Sequence, residues 1–458
     1  MIYSYEEMRK TMFLAVVFLL FINLSIQSKA TIVLKKGTAI AKQIATANTR
    51  YEIIEDFELE GGTLTIPANC ELDFRGGKIS NGTVVFNQTQ IVNPSFSKMH
   101  FQGSTPEDYF NISDFGAQPG DKTEDCSELI NELIALKQTQ NSKRNAKTIH
   151  IPNGTFYLRT PICLWAGWES PVTLEGNGNT STLCQLTDNE YILKIYESHY
   201  VKNLRLTYDR RQGLMNSKAV AIACQRAIFC LFENLTICKA YNAVGYIKKA
   251  DYKKDAFTNL NEQCYVSCNF RNIRIYEFSN YAFDFQKEMN GGDSGSVYDN
   301  IYINCQDWLS STSDNVSKGA IRGVNTTAVF TQLNIEGPNY SNPLVDLSEM
   351  SRLSIASLHI EWLQNVPSII KASIQSVVKM DVIDMESCSF IPKGYSFFQV
   401  KDNAKIDVDI LLVKESCKKK SVLSRAVICK RMSNTNCDVN VKYRIDAIKI
   451  IGTDNYNK

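Results

Sequence analysis

The chain has little net charge, which argues against a nucleic-acid-binding protein, and little histidine, which argues against a zinc protein. Its 458 residues carry 50 Lys and Arg against 48 Asp and Glu, a net charge of +2, with 4 His. A near-neutral chain lacks the basic excess that phosphate neutralisation needs, which argues against a nucleic-acid partner. Its hydrophobic fraction of 44% excludes a disordered chain, which would bury too little apolar surface to fold.

One apolar segment stands out, at the N-terminus, and it is too short to span a membrane. Arg9 and Lys10 precede an apolar run from Met12 to Ile22, and Ser28-Lys29-Ala30 ends in a small residue. A bilayer needs about 20 apolar residues, whereas this order of basic, apolar and small residues is typical of a cleaved export signal. We therefore expect residues 1–30 to be a signal peptide. The mature chain is expected to be secreted or periplasmic, with no membrane span left after cleavage.

The 14 cysteines lack the spacing that a zinc site needs. No Cys-x-x-Cys pair occurs, and the four His are scattered along the chain. An even cysteine count in an exported protein fits disulfide bonds, although spacing alone does not give their connectivity. For Cys238, Cys305 and Cys388, which fall in strand-like segments, burial as small hydrophobic side chains is the equal alternative.

Residues 31–110 alternate short β-prone runs with tight turns. Leu64-Thr65-Ile66 and Thr83-Val84-Val85-Phe86 are strand-like, and Gly76-Gly77 and Asn81-Gly82 are turn signals. Runs of about four residues are too short for sandwich strands and fit the corners of a coil. We predict an N-terminal short-strand β region that packs on a longer solenoid.

Four motifs between residues 112 and 160 resemble one family. They are Asp114-Phe115-Gly116-Ala117, Gly120-Asp121-Lys122-Thr123-Glu124-Asp125, a single helical pattern over Ser127 to Lys137 with Thr123 or Asp125 as its cap, and Ile151-Pro152-Asn153-Gly154-Thr155-Phe156-Tyr157. Together they resemble the opening of pectate-lyase-superfamily proteins of the rhamnogalacturonase, epimerase and tailspike type. The resemblance implies an all-β fold, a right-handed single-stranded parallel β-helix over residues 111–458, with one short N-terminal helix. It does not choose the reaction, because members of this superfamily differ in function.

An internal repeat from Val201 onward also predicts a solenoid. A five-residue motif with aliphatic second and fourth positions recurs six times, at unequal intervals that indicate insertions of different lengths. The motifs begin at Asn203, Asn234, Asn272, Asn300, Gln332 and Ser357. Because side chains alternate along a strand, the aliphatic residues are expected to point into the solenoid. The four Asn are predicted to form an amide ladder at a bend.

The positions between the aliphatic residues are predicted to form two outward stripes, because stacked strands lie about 4.8 Å apart. The first stripe contains Arg205, Thr236, Arg274, Tyr302, Asn334 and His359. The second contains Thr207, Cys238, Tyr276, Asn304, Glu336 and Glu361, with Trp362 beside it. This mixture suits a polysaccharide, and the residues assigned to substrate contacts are Arg205, Tyr276, Asn304, Asn334 and Trp362. An ordinary polar solvent face is the alternative interpretation.

Two reactions are compatible with these stripes. Glu336 and Glu361 occupy equivalent positions on adjacent coils, so they offer the acid and the nucleophile or base of a glycoside hydrolase, and their short separation favours retention. Alternatively, His359 or Tyr302 removes a proton beside a uronate carboxylate that Arg274 neutralises, as in a lyase. Because Arg, Tyr and His share one stripe, we predict a lyase that cleaves a uronic-acid-containing glycan by β-elimination. The hydrolase and a non-catalytic, tailspike-like glycan-binding protein stay open as alternatives.

Three long segments are predicted to be functional loops: Lys248–Ser267, Gln286–Ser296 and Gln306–Gly319. The second contains Gly291-Gly292-Asp293-Ser294-Gly295 and is expected to be flexible enough to close over a ligand. Calcium could use carboxylates such as Asp293, Asp299 and Asp307. Loop carboxylates are more often solvated, so no metal site is predicted and calcium stays an open alternative.

Overall fold

A computed structural model gives the fold of most of the chain. It describes residues 29–138, 147–164, 171–252, 262–288, 291–306, 316–364, 366–388, 396–414, 416–417, 427–432 and 437–446. The predicted signal peptide lies almost entirely outside these residues. No helix within them is long and apolar enough to cross a membrane. Two compact units divide the chain: residues 29–107 with 136–138 belong to the first, and the other described residues belong to the second.

The first unit consists of short strands that pair only in parallel among the described residues. Its elements are β1 (Ala30–Val33), α1 (Ile40–Gln43), β2 (Thr49–Ile53), β3 (Phe57–Glu58), β4 (Thr63–Thr65), β5 (Glu71–Phe74), β6 (Ile79–Asn87), β7 (Gln90–Val92), β8 (Phe96–Thr105) and β10 (Lys137–Gln138). One sheet has the order β1-β2-β5-β7, and the other has β10-β8-β6-β3 with β4 on β6. Seven of these nine strands have five residues or fewer, whereas β6 and β8 are longer than the runs of about four residues that the sequence predicts. The one-turn helix α1 was not predicted.

The second unit is a parallel β-helix, as predicted. Its fourteen-stranded sheet contains β9 (Tyr109–Asn111), β11 (Lys147–His150), β12 (Gly154–Leu158), β14 (Val172–Glu175), β15 (Ser181–Gln185), β17 (Tyr200–Tyr208), β19 (Leu231–Cys238), β22 (Asn269–Tyr276), β24 (Ser296–Asn304), β26 (Thr327–Glu336), β28 (Arg352–Glu361), β30 (Val377–Glu386), β32 (Lys405–Val413) and β34 (Asp438–Asp446). Its eleven-stranded sheet contains β13 (Ile162–Leu164), β16 (Leu193–Tyr196), β18 (Val220–Ile228), β20 (Asn242–Tyr246), β21 (Cys264–Val266), β23 (Tyr281–Phe285), β25 (Gly319–Val324), β27 (Val345–Ser348), β29 (Ile370–Ala372), β31 (Ser396–Val400) and β33 (Val427–Arg431).

The core of the β-helix is built from the aliphatic positions of the repeat. In all six motifs both aliphatic side chains are buried, with exposures of 0 to 1%. They are Leu204, Leu206, Leu235, Ile237, Ile273, Ile275, Ile301, Ile303, Leu333, Ile335, Leu358 and Ile360. Each layer therefore packs on the same positions of the coils above and below, and the prediction of their inward direction is confirmed.

The predicted amide ladder is also present. The side-chain amide of Asn234 donates to the Oδ1 of Asn203 at 3.0 Å, that of Asn272 to Asn234 at 2.9 Å, and that of Asn300 to Asn272 at 2.8 Å. All four residues have positive φ, between 52° and 57°. Asn tolerates this left-handed conformation better than other residues with a Cβ atom. The ladder therefore accounts for both the bend and the recurring Asn.

Asn272 separates the two contributions of the ladder experimentally. Asn272→Ala removes two ladder hydrogen bonds and forces a Cβ atom into the left-handed region, so we expect it to cost about 2 kcal/mol of unfolding free energy. Asn272→Gly loses the hydrogen bonds but accepts the positive φ, so it should cost about 1 kcal/mol less. Urea denaturation of both variants measures the difference. Equal destabilisation would mean that the bend imposes no strain.

One helix of the second unit, α2 (Cys126–Ala135), lies close to its predicted range. Its first turn is capped by Asp125, whose Oδ1 accepts the backbone N–H of Ser127 at 3.0 Å. At its other end the buried Nζ of Lys147 donates to the carbonyls of Leu133 and Ile134 at 3.1 and 3.0 Å. Burial lowers the pKa of Lys147 to about 8. The charged Lys147 side chain therefore interacts favourably with the C-terminus of α2, but its burial disfavours the charged form.

Lys147 should make stability rise with pH in the alkaline range. Its ordinary pKa is 10.5 and its folded pKa is about 8, so between these values the unfolded chain binds more protons than the folded chain. We expect the unfolding free energy of the wild type to increase relative to that of Lys147→Met as pH rises from 8 to 10.5. Urea denaturation of both proteins at several pH values tests this. A constant difference would show that Lys147 titrates normally.

All 14 cysteines lie within the described residues, and no disulfide bond joins any of them there. Thirteen are buried, including Cys238, Cys305 and Cys388, and only Cys163 is partly exposed. Burial of Cys238, Cys305 and Cys388 agrees with their prediction as small hydrophobic side chains, but only Cys238 lies in a strand, since Cys305 and Cys388 follow the ends of β24 and β30. Disulfide bonds, which the even count suggested, are taken up below.

Candidate catalytic surface

The two predicted stripes align in register on the second halves of β17, β19, β22, β24, β26 and β28. The outward direction predicted for them is wrong for four buried members: Thr207, Thr236, Cys238 and Asn304. In the first stripe Tyr302 pairs in register with Arg274 on one side and Asn334 on the other. Asn334 in turn pairs with His359, and His359 with Asp384 of β30. The register predicted from the repeat is therefore confirmed from Arg274 to His359, and the stripe extends one coil further.

The second stripe contains a column of three glutamates. Asn304 pairs with Glu336, Glu336 with Glu361, and Glu361 with Glu386. Adjacent strands lie about 4.8 Å apart, so Glu336 and Glu361 are direct neighbours on one face, as predicted. Glu386 was not predicted.

A chain of hydrogen bonds orients Glu336. The side-chain amide of Asn304 donates to the hydroxyl oxygen of Tyr302 at 3.2 Å, and the Tyr302 hydroxyl donates to Glu336 Oε2 at 2.6 Å. The ring of Tyr276 lies against that of Tyr302, with centroids 5.6 Å apart. Because Tyr302 occupies Oε2, the other oxygen of Glu336 is the one available to carry a proton.

The pKa of Glu336 is raised above its ordinary value. Burial is the largest cause, and the nearby negative charge of Glu361 adds to it. The hydrogen bond from Tyr302 and the nearby His359 act in the opposite direction without cancelling the rise. A half-buried carboxyl beside a second carboxylate is the group expected to keep its proton longest as pH increases.

His359 lies between two carboxylates. Its Nε2 is 3.7 Å from Glu361 Oε2, and its Nδ1 is 3.3 Å from Asp384 Oδ2. A neutral imidazole can donate to only one of them, so the contacts change with its protonation state. His359 therefore links Glu361 to the coil beyond it and holds a position from which it can influence the charge of Glu361.

Lys414 lies at the far end of this surface, directly after β32. Its Nζ lies 2.9 Å from Asp384 Oδ2 and 2.7 Å from Glu386 Oε2. These two hydrogen bonds raise the pKa of Lys414. Asp384 and Glu386 therefore share one lysine, which offsets one of their two negative charges, whereas the described residues offer Glu336 and Glu361 no lysine or arginine within ion-pair distance.

The sequence carried a signal for the three residues that were not predicted. Val382-Ile383-Asp384-Met385-Glu386 follows the sixth motif at the same interval that separates the sixth motif from the fifth, and it keeps both inward aliphatic positions. It lacks the leading Asn, Gln or Ser of the other motifs. An alignment on the aliphatic alternation alone would have continued through it to Lys414.

The structure does not bring every predicted site residue to the glutamates. Arg205 is separated from Tyr302 by three register steps, through Thr236 and Arg274, or roughly 14 Å. Arg274 is exposed and adjoins Tyr302. Trp362 is partly buried immediately after β28 and has a positive φ of 60°. Arg274 and Trp362 thus border the surface, and Arg205 lies further along it.

The assignment of Asn304 to substrate contact is wrong. Its side chain is fully buried, and both ends of its amide are used inside the protein. Besides donating to Tyr302, it accepts the backbone N–H of Gln306 at 2.9 Å. The following coil covers it so closely that a Cβ atom at Gly337 would stand 2.8 Å from its Oδ1. Asn304 therefore orients Tyr302.

Two of the three predicted functional loops do not follow the strands of this surface. Lys248–Ser267 comes after β20 and Gln286–Ser296 after β23, both in the eleven-stranded sheet, and the first of them contains β21. Only Gln306–Gly319 follows a strand of the surface, β24, and residues 307–315 lie outside the described part of the chain. Sequence spacing gives the length of an insertion but not the side of the coil from which it projects.

Asp293, a candidate calcium ligand, is held inside the protein. Its Oδ1 accepts from the Tyr246 hydroxyl at 2.5 Å and from the backbone N–H of Tyr265 at 2.8 Å. Its Oδ2 accepts from Thr326 Oγ1 at 3.0 Å and from Lys287 Nζ at 2.9 Å. These contacts make Asp293 an anchor of the Gly-rich segment and contradict the flexibility expected of it. Asp299 accepts a hydrogen bond from Thr331, and Asp307 lies outside the described residues.

A family model matches the part of the chain that includes the first half of this surface. The model for rhamnogalacturonase A/epimerase, pectate lyase-like, matches residues 109–337, which is half of the chain (337 − 109 + 1 = 229 of 458). The chain belongs to this family. The resemblance predicted from residues 112–160 is thereby confirmed. Within the pectate lyase-like chain, the matched residues include Tyr302 and Glu336 and end before His359 and Glu361.

Three solved structures are similar to parts of this pectate lyase-like chain. The gp42 tailspike of Acinetobacter phage vb_AbaP_AS12 has a TM-score of 0.49 and 8% identity and covers 74% of this chain, which spans 62% of the tailspike. The catalytic unit of a GH87 α-1,3-glucanase from Streptomyces thermodiastaticus has a TM-score of 0.40 and 10% identity. The match covers 77% of this chain and 70% of the glucanase chain.

The A-module of mannuronan C-5 epimerase AlgE4 from Azotobacter vinelandii has a TM-score of 0.41 and 11% identity. The match covers 76% of this chain and 99% of the A-module. With TM-scores below 0.5, these similarities say nothing about the reaction of the pectate lyase-like chain. Among curated proteins, none matches its sequence.

Proposed function

We propose that this chain is an exported enzyme that hydrolyses a polysaccharide, with Glu336 as general acid and Glu361 as nucleophile. The observation that carries the proposal is the register pairing of Glu336 with Glu361 on adjacent strands. Membership of the rhamnogalacturonase A/epimerase, pectate lyase-like family supports a glycan substrate. Export rests on the basic, apolar and small-residue pattern of residues 1–30.

The two carboxyl groups suit different roles. Burial and Glu361 raise the pKa of Glu336, which favours a proton on it at neutral pH and therefore the role of acid. Glu361 adjoins it and has His359 at 3.7 Å, a partner that stabilises a carboxylate when protonated. Carboxyl groups about 5 Å apart act by double displacement through a covalent glycosyl-enzyme intermediate, which retains the anomeric configuration.

The acidity of the surface is the reason to prefer hydrolysis to β-elimination. Besides Glu336 and Glu361, the same face carries Asp384 and Glu386, and Lys414, which pairs with the latter two, offsets only one of their charges. A uronate bound at the glutamates would meet like charge, which weakens its binding. A neutral sugar residue at the cleavage point avoids this repulsion.

β-Elimination stays a second candidate because of one observation. Arg274 pairs in register with Tyr302, and within the described residues the side chain of Arg274 forms no hydrogen bond or ion pair. A guanidinium in that position could neutralise a uronate carboxylate while Tyr302 or His359 removes the neighbouring proton. The lyase predicted from sequence would use this part of the surface.

Product analysis of the purified mature chain distinguishes these functions. We expect new reducing ends without the ultraviolet absorbance of an unsaturated uronate, on a panel containing rhamnogalacturonan, polygalacturonate, mannuronan and α-1,3-glucan. Unsaturated products would instead assign the lyase. No cleavage across a panel extended to bacterial capsular polysaccharides, together with binding to one of them, would assign a non-catalytic protein.

Tyr302→Phe provides a pH test of the assignment of Glu336. The Tyr302 hydroxyl lowers the pKa of Glu336, so its removal should raise that pKa further. If Glu336 is the acid, the alkaline limb of the kcat/KM profile moves to higher pH in the variant. Asn334→Ala, which changes the adjacent residue of the first stripe, should leave that limb in place. A shift to lower pH in Tyr302→Phe would remove Glu336 from the role of acid.

A further inference from the structure

Four of the cysteines stand in two stacked pairs on consecutive coils. Cys230 and Cys268 directly precede β19 and β22, and the residues that follow them, Leu231 and Asn269, pair in register. Cys388 and Cys417 occupy the turns after β30 and β32. There Ser387 N–H donates to Ser416 Oγ at 2.9 Å, which aligns these two turns.

The two thiols of each pair lie close enough to affect each other. Burial raises the pKa of Cys230 and of Cys388, and the neighbouring thiol, Cys268 or Cys417, raises it further. Cys388 Sγ lies 3.7 Å from the carbonyl of Ile360 on the preceding coil, and Cys417 Sγ lies 3.6 Å from the carbonyl of Met385 on its preceding coil. Neighbouring strands of a sheet are about 4.8 Å apart, and this spacing lies within the range of about 4.4–6.8 Å between the Cα atoms of disulfide-bonded cysteines.

The register distinguishes these four from the strand cysteines. Cys238 stacks between Thr207 and Tyr276, and Cys184 between Tyr157 and Thr207. Other strand cysteines also pair with residues that are not cysteine: Cys163 with Lys194, Cys224 with Ile195 and Tyr246, Cys264 with Arg226, and Cys429 with Phe398. Cys230–Cys268 and Cys388–Cys417 are therefore two cysteine pairs stacked on consecutive coils, whereas the even cysteine count alone allowed many connectivities.

We propose that the chain forms two disulfide bonds, Cys230–Cys268 and Cys388–Cys417, when it folds in the presence of a small-molecule or protein disulfide. In each case one cysteine thiolate attacks the external disulfide and releases one thiol. The second cysteine thiolate then attacks the mixed disulfide and releases the other thiol. The two cysteines are oxidised, the external disulfide is reduced to two thiols, and those thiols take up the two protons. Because all four thiols are buried, the exchange takes place before the coils close.

Each bond ties one coil to the next. The first closes the segment from Cys230 to Cys268, and the second closes the segment from Cys388 to Cys417. Such crosslinks stabilise mainly by restricting the unfolded chain. The second also joins the coil of Asp384 and Glu386 to the coil of Lys414, so it secures that ion-pair cluster. The proposal does not depend on the reaction proposed above.

A mass-spectrometric map of the full mature chain tests the connectivity. The chain is refolded with reduced and oxidised glutathione, denatured without reductant in N-ethylmaleimide, and digested. We expect ten alkylated cysteines (14 − 4 = 10) and two linked peptides, Cys230 with Cys268 and Cys388 with Cys417. Cys305→Ser, which removes a buried cysteine that stacks on Gly337, should leave both linked peptides. Fourteen alkylated cysteines, or links between other cysteines, would overturn the proposal.

Thermal unfolding gives a second readout. The wild type should unfold at a higher temperature oxidised than reduced, and this redox-dependent difference should shrink in a Cys388→Ser, Cys417→Ser double variant. The mass map of the wild type stands independently if that variant does not fold. An undiminished redox-dependent difference in a folded double variant would contradict the second bond.

Discussion

Replacing Glu336 with Gln is expected to lower kcat for glycan hydrolysis by about 10²–10⁴-fold, the contribution of a positioned general acid. The amide keeps the size of the side chain and can still accept a hydrogen bond from Tyr302, but it cannot give a proton to the leaving oxygen. KM should change little, because the lost interaction is made in the transition state. Initial rates of reducing-end release measure the effect.

Glu386→Gln is the matched control for Glu336→Gln. Glu386 stands in the same column, two strands beyond Glu336, but its carboxylate is paired with Lys414 at 2.7 Å. Losing that exposed ion pair should change the rate by no more than about fivefold, the equivalent of about 1 kcal/mol. Equal losses in Glu336→Gln and Glu386→Gln would show that the column acts through its total charge and that Glu336 has no particular role.

Glu361→Ala should lower the rate further, on the order of 10⁴-fold, because it removes the group that forms the covalent intermediate. The space left by the side chain lets azide reach the anomeric carbon. Azide should therefore restore cleavage and yield a glycosyl azide of inverted configuration, the product of a single displacement. Product NMR identifies it.

The Gln variant of the same residue is the control for this rescue. Glu361→Gln abolishes the nucleophile but fills its space, so azide should restore much less activity than in Glu361→Ala. If azide fails to rescue Glu361→Ala while that variant stays folded, Glu361 is not the nucleophile. A full rate in Glu361→Gln would remove the pair from catalysis altogether.

The stripe register could be predicted because two independent patterns agree. Aliphatic alternation set the inward face, and the recurring Asn marked the bend, so the motif starting at Asn300 aligned with that at Asn272 despite an insertion. The stacking of Glu336 on Glu361 followed from that alignment. Strand pairing in a solenoid depends on such local repeats, which is why sequence reasoning succeeds for this part of the fold.

Features that depend on neighbouring coils could not be predicted in the same way. Asn304 is covered by the following coil at Gly337, and nothing in its own motif indicates that burial. Asp293 belongs to a glycine-rich segment whose sequence predicts flexibility, yet its carboxylate accepts hydrogen bonds from donors at four separate positions. Asp384 and Glu386 were missed for a different reason, since their motif lacks the polar leading residue on which the others were aligned.

The anomeric configuration of the first cleavage product tests the role of the stacked glutamates most directly. Proton NMR recorded during the first turnovers, before mutarotation, reports the configuration of the new reducing end. Neighbouring carboxyl groups on adjacent strands predict retention of the configuration of the cleaved bond. An inverted reducing end, or an unsaturated uronate at the new non-reducing end, would contradict the double displacement by Glu336 and Glu361.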